Sequence, residues 1–327
     1  MPRVSGKGAA RLWLLCLLAV PPWVGGCGWV YRMLGTENGY LLQADDVLAL
    51  PGEQVILRAR LKTGWWLGEV GDRPVTFILE GKPFANVKTD DEGWAEVAFR
   101  PQAPRDYVFT IEAAPDRSGE KPQATDLLAA CRSADAPILV TDVDNTVVVS
   151  ESKGGFVKNR MPPVPHAAEA LTGLARHYTV VYLTFRPEPL TFRSKKWLEE
   201  NGFPRGLVFL SRFKKIAENR EQFKQDRIED LRRKFHRVEV GIGNADSDMH
   251  AYLENAMRAI AIVHLTRPDD PKYLRQRAKR IELMPDAAEA YLDWRQIGEA
   301  ILKGTRTPKK TVQDELNRRA DQLRAGR

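Results

Sequence analysis

From Pro137 onward the chain repeats one unit: a short uninterrupted apolar run, a polar break, then a stretch with helical spacing. "PILVTDVD" leads to "HAAEALTGLARH", "TVVYLTF" to "LTFRSKKWLEEN", "GLVFLS" to "FKQDRIEDLRRKF", "VEVGIGN" to "SDMHAYLENA", and "RAIAIVH" closes the series. An apolar run without alternation reads as a strand buried on both faces. Such strands separated by helices build a parallel sheet covered on both sides. The pattern predicts an α/β, Rossmann-like domain over residues 136–303. Ligands of these sheets bind beyond the carboxyl ends of the strands, and "DVDNT", "TFR" and "GNADSD" all fall there.

The stretch "TDVDNTVVVS" carries the chemistry. A buried strand does not end in paired charges unless something neutralises or uses them. Asp142 and Asp144 stand two residues apart where the backbone turns, so both face one small volume. A Mg²⁺ ion resolves their repulsion, because it takes oxygen ligands and keeps waters that a phosphate replaces. Asp142 is then the expected nucleophile on phosphorus. Asp144 is expected to protonate the leaving alcohol and later to deprotonate the hydrolytic water.

These residues resemble the first motif, D-x-D-x-T, of the haloacid dehalogenase (HAD) superfamily of phosphatases. The other motifs follow in order: Thr184 in "VVYLTF", Lys224 in "QFKQDR", and "GNADSD". The resemblance implies that Thr184 and Lys224 hold phosphoryl oxygens. It implies a Mg²⁺ site made by Asp142, the Asp144 carbonyl, Asn244 and Asp248, with Asp246 a weaker third candidate from the last motif. Thr146, Asn145, Arg186 and Gly243 are the expected substrate-binding residues. "VVYLTFRPEPLTFRSKKWLEENGFPRGLVFLS" is similar to the LNS2 domain of lipins and of membrane-associated phosphatidylinositol transfer proteins, in Arg186, Lys196-Trp197 and Pro204-Arg205-Gly206. The actin-patch phosphatidate phosphatase of yeast shares the same core. Lipins hydrolyse phosphatidate with Mg²⁺, whereas the transfer proteins sense it, so both enzyme and binding module follow as implications. Asn145 stands where lipins usually have Gly, Phe185 where a small residue is common, and Asn244 where the wider superfamily has Asp.

Roughly 37 residues separate Thr146 from Thr184, and a similar number separates Thr184 from Lys224. One helix and one strand consume such lengths. No large cap is expected, and an open site suits a substrate held elsewhere, such as a lipid headgroup or a phosphorylated macromolecule. Arg193, Lys195, Lys196 and Arg205 read either as a positive rim around that site or as a solvated helix face. His250 and Trp197 read as packing or capping residues.

The first 31 residues have a basic head, an apolar middle and a small-residue end before Cys27, an export signal. "VGGC" resembles a bacterial lipobox with Cys27 as the lipidated residue. An uncleaved anchor reaching Tyr31 is the other reading. Either way the body is expected outside the cytoplasm, attached to a membrane surface.

Residues 40–113 alternate β-branched and aromatic residues and predict a small all-β sandwich. "NVKTDDEGWAEVAFRP" reads as a hairpin, and the segment resembles bacterial immunoglobulin-like domains, with no stated protein partner. Asp45-Asp46 reads as a surface turn or a calcium site. Residues 114–135 read as a linker and 304–327 as a basic, solvated tail. The net charge of +7 favours anionic partners, but no nucleic-acid-binding motif is present, so none is expected. Three cysteines without paired spacing and five histidines without HxH or HxxxH pairs exclude a disulfide scaffold and a histidine metal cage.

Overall fold

A computed structural model describes residues 39–63, 68–115, 123–149, 161–212 and 220–326. The export or anchor segment with Cys27 lies outside the described residues.

The N-terminal half is built from β1 (Tyr40–Asp45), β2 (Val47–Ala49), β3 (Val55–Thr63), β4 (Gly68–Glu69), β5 (Pro74–Leu79), β6 (Lys82–Lys88), β7 (Trp94–Phe99), β8 (Asp106–Ala113) and β9 (Gln123–Cys131). One sheet has β3 between β1 and β7, with β4 also on β3; the other runs β2-β9-β8-β5-β6. Their inward residues, among them Leu42, Leu57, Leu61, Phe77, Phe109, Ile111 and Leu127, form one apolar core.

Two expectations fail in this half. β9 lies within the expected linker 114–135 and pairs with β8 from Asp106↔Ala130 to Ala113↔Gln123. Its run "LLAAC" is buried, and a buried apolar strand edge is satisfied by pairing. The second failure is the hairpin. β6 pairs β5, while β7 pairs β3 in the opposite sheet, so "TDDEG" is a corner between sheets. Asp90 Oδ1 accepts from Glu92 N and Trp94 N at 2.9 and 2.8 Å. Gly93, at φ +80°, presses against Leu61 O, where a Cβ would stand at 2.5 Å. That contact turns the chain into the second sheet.

The second half carries β10 (Ile138–Thr141), β11 (Thr179–Pro187), β12 (Leu207–Ser211), β13 (Val238–Gly243), β14 (Arg258–Ile262) and β15 (Glu289–Tyr291). They form one sheet in the order β12-β11-β10-β13-β14-β15, every pair parallel. Its helices are α1 (Ala167–Leu174), α2 (Thr191–Glu200), α3 (Arg220–Arg232), α4 (Asp246–Glu254), α5 (Pro271–Glu282), α6 (Trp294–Lys303) and α7 (Lys309–Ala325). Along β11, Val180 and Tyr182 pack beneath α1 and α6, whereas Val181 and Leu183 pack beneath α3 and α4. Burial on both faces explains why these strands read as continuous apolar runs. The chain moves outward from β10 to β11 and β12, then returns to β13 on the other side. The order therefore reverses beside β10, where open α/β sheets place ligands.

The expected solvated tail is instead largely α7. Val312, Leu316 and Ala320 recur every four residues and are buried against the α3–α5 core. Lys309 donates to Glu282 O (3.0 Å) and Met284 O, occupying the carbonyls at the end of α5. Among the described residues no helix is long and apolar enough to cross a membrane.

Candidate active site

The site begins where β10 stops. Asp142 N donates to Ile242 O at 2.8 Å, carrying the ladder with β13 one residue past the strand. The chain then folds over itself: Val147 N and Val148 N both donate to Val143 O, and all three valines are buried. This apolar plug leaves the residues between them facing the strand ends. Asn145 is exposed at the tip with φ +58°. Asn tolerates that left-handed conformation and Gly adopts it freely, which explains why either residue suits the position. From below, the fully buried Trp294 of α6 donates Nε1–H to Thr146 O at 2.9 Å.

Three segments meet at Asp142: its own loop, α3 and the start of α4. Its Oδ1 accepts from Lys224 Nζ at 2.7 Å and its Oδ2 from Thr146 Oγ1 at 3.1 Å. Lys224, 1% exposed on α3, also donates to Asp248 Oδ1 at 2.6 Å. Asp248 Oδ2 accepts from Asn244 N and Ala245 N at 3.1 and 3.2 Å, closing the first turn of α4. Gly243 makes room for it, since a Cβ there would stand 2.6 Å from the Asp248 Cβ. Burial pushes the Asp142 carboxyl up to about 6; Lys224 opposes the shift, and Asp248 and Asp144 add to it. Burial works against the Lys224 charge, but the two carboxylates outweigh it and raise the ammonium above its ordinary value.

Asp144 belongs to an adjoining pair. Arg186 reaches it with Nη2 at 2.8 Å and Nε at 3.0 Å, and Thr184 Oγ1 lies 3.4 Å away. Arg186 is 4% exposed, and its Nη1 donates to Ser194 Oγ on α2 at 3.2 Å. Three carboxylates thus face two cations, leaving negative charge uncompensated. The donors are all oxygen, the chemistry of a hard cation. Among the described residues no three acidic, imidazole or thiol side chains converge as a cage. A Mg²⁺ ion, which takes oxygen ligands and keeps waters of its own, is a cation of that hard kind. Asp142 and Asp248, with the Asp144 carbonyl and Asn244, are the residues that would hold it.

The expected residues Asp142, Asp144, Thr146, Thr184, Arg186, Lys224 and Asp248 are brought together, with Gly243 as packing space. Asp246 and His250 are exposed on α4. Phe185 is half-buried against the core, edge-on to Phe223 at 5.8 Å. Lys195 is not rim: it pairs with Asp46 of the sandwich. Trp197 packs on Phe203. Ser194 and Trp294 were not expected here. A serine four residues after a helix-opening proline turn carries no distinctive signal, and a tryptophan in an amphipathic helix reads as core.

No curated protein matches the chain. Among solved structures, the titin M3 domain is 10% identical and covers 28% of this chain and 96% of its own, with a TM-score of 0.22. The CARDB domain of a Pyrococcus furiosus protein is 13% identical over 29% of this chain and 91% of its own, at 0.21. A Photobacterium 2,6-sialyltransferase is 10% identical over 85% of this chain and 58% of its own, at 0.25. TM-scores this low carry no argument. The informative match is to a family model, the LNS2 domain of PITM 1–3, over residues 139–264. Those residues hold every side chain of the Asp142 and Asp144 networks, and this part of the chain is therefore LNS2-like.

Proposed function

We propose that the α/β half is a phosphomonoester hydrolase acting through an aspartyl-phosphate on Asp142, with phosphatidate or a similar lipid phosphate as substrate. One observation carries the reading: Asp142 and Thr146 of the loop after β10, Lys224 of α3 and Asp248 of α4 share one buried hydrogen-bonded chain beside Asp144. The LNS2 match supports the lipid.

Lys224 and Thr146 hold the Asp142 carboxylate, which retains lone pairs for attack. Asp142 forms a bond to phosphorus as the ester oxygen leaves, and Asp144 gives that oxygen its proton. Water then loses a proton to Asp144 and attacks the same phosphorus, releasing Asp142 and inorganic phosphate. Thr184, Arg186 and Lys224 hold the phosphoryl oxygens; the guanidinium fork matches phosphate as well as carboxylate. A bound Mg²⁺ supplies charge neutralisation at the phosphoryl group. Export with a lipid on Cys27, or an uncleaved anchor, keeps the site at a membrane and raises its effective concentration there. The sandwich is of immunoglobulin-like type.

Two other readings remain testable: a hydrolase for a different extracytoplasmic phosphomonoester, and a phosphatidate-binding module. The second is favoured by one observation, the bidentate hold of Arg186 on Asp144, which occupies the proton donor. Phosphate release from phosphatidate vesicles with Mg²⁺, beside Asp142→Asn and Asp144→Asn, separates them. Release that needs both aspartates and stops on chelation is expected. Release from soluble esters alone supports the other hydrolase, and vesicle binding without release refutes turnover.

A further inference from the structure

The sandwich grips the segment that carries Arg186. Strand β11 pairs Thr184 with Leu210 and then Pro187 with Ser211, so Phe185 and Arg186 fall in a bulge that β12 does not hold. A bulge re-aims side chains and gives up ladder bonds; other groups must fix this backbone. The sandwich supplies them. Gln43 of β1 donates Nε2–H to Glu188 O, immediately after the bulge. Arg60 of β3 points Nη1 at Glu188 Oε1 from 3.6 Å. Arg60 is itself anchored by Glu92 O at 3.1 Å, Glu69 Oε1 at 2.7 Å and the Trp94 ring.

A second grip holds α2. Asp46 has a side chain 1% exposed, and its Oδ1 accepts from Leu128 N of β9 and from Lys195 Nζ of α2 at 2.8 and 2.5 Å. Its Oδ2 accepts from Val208 N of β12 at 2.9 Å. Lys195 also donates to Asp126 O at 2.9 Å. It neighbours Ser194, the residue bonded to Arg186. Asp46 is therefore neither a surface turn nor a calcium ligand in waiting: its carboxylate is spent joining the two halves. Leu48, Leu128 and Ala130 of the sandwich share a core cluster with Val181, Leu183 and Leu207.

We infer that the sandwich is a working wall of the candidate active site: Gln43 and Arg60 are positioning residues that fix Glu188, and through the Arg186 bulge set the Arg186–Asp144 pair. Asp46 and Lys195 fix the helix carrying Ser194. The catalytic clause rests on the hydrolase reading; the mechanical clause does not.

The test uses the full chain and the variants Gln43→Glu, which replaces a donor by an acceptor facing Glu188 O, and Arg60→Ala. Amide exchange over residues 186–194 is expected to rise about tenfold or more, with the sandwich's own strands still protected. With p-nitrophenyl phosphate as a soluble substrate, whose leaving group departs without protonation, kcat is expected to fall roughly tenfold, because deprotonation of the hydrolytic water by Asp144 depends on its placement. Arg60→Lys restores part of both. Unchanged exchange at 186–194 in folded Gln43→Glu overturns the inference. A loosened segment with unchanged kcat overturns its catalytic clause. Were the parent to release no phosphate, the exchange result alone would decide the mechanical clause.

Discussion

Lys224 sits between Asp142 and Asp248 with almost no exposure, so one ammonium pairs with two buried carboxylates. Lys224→Met leaves both without a cation, and breaking a buried pair of this kind costs about 3–5 kcal/mol. Urea unfolding of the variant should show a loss of that order; a loss near zero would mean that water or an ion already screens the site. Gly243→Ala is the opposite perturbation, an added methyl aimed at Asp248. Overpacking of this kind costs about 1–3 kcal/mol. Shifting Asp248 should also lower phosphate release far more than stability, which parallel activity and melting measurements will separate. At this scale the spacing of "DVDNT" was legible because it is local. The Arg186–Asp144 pair was not, since the two stand 42 positions apart and Arg186 lies in the bulge of β11. Nor was the Trp294–Thr146 bond, which spans 148 residues.

Helix α7 is where a bias in composition misled the reading. Its many charges look like a solvated tail, yet they form pairs such as Arg319–Glu315 on one face while Val312, Leu316 and Ala320 line the other. Leu316→Ala removes a fully buried side chain and should destabilise the α/β half by about 2–5 kcal/mol in denaturant titration. The adjoining strand β15 carries Glu289, bonded by Arg258 Nε and Nη2 at 2.7 Å each. Burial raises its carboxyl, but the Arg258 and Tyr291 bonds outweigh that and hold it below its ordinary 4.5. A lowered acid contributes stability above its unfolded pKa and loses it as pH falls through the folded one. Stability should therefore drop as pH falls below about 4.5, and Glu289→Gln should be less stable near neutrality with a shallower acid limb. An unaltered acid limb would show that Glu289 is not the linked group. The parallel-sheet elements were legible from their two-faced burial. The sandwich connections were less so, because "TDDEG" has hairpin chemistry and only packing of Gly93 on Leu61 sends the chain to the other sheet.

The two halves meet through a buried carboxylate and a shared apolar cluster, so the molecule is expected to unfold with the halves coupled. Asp46→Ala strands Lys195 and the Val208 N–H, and it should split thermal unfolding into two transitions; one unsplit transition at the parent midpoint would contradict that coupling. Sequence spacing separated the halves at an apparent linker, because Pro, Gly and charge dominate residues 115–122 and conceal the strand that follows. The claim on which the functional account rests is narrower than the architecture: a covalent phosphate passes through Asp142. Rapid acid quench with phosphatidate labelled in its phosphate tests it directly. Acid-stable, hydroxylamine-labile label on the peptide containing Asp142, absent in Asp142→Asn and accumulating in Asp144→Asn, is the predicted result. Phosphate release at the parent rate by Asp142→Asn, with no label on that peptide, would contradict it.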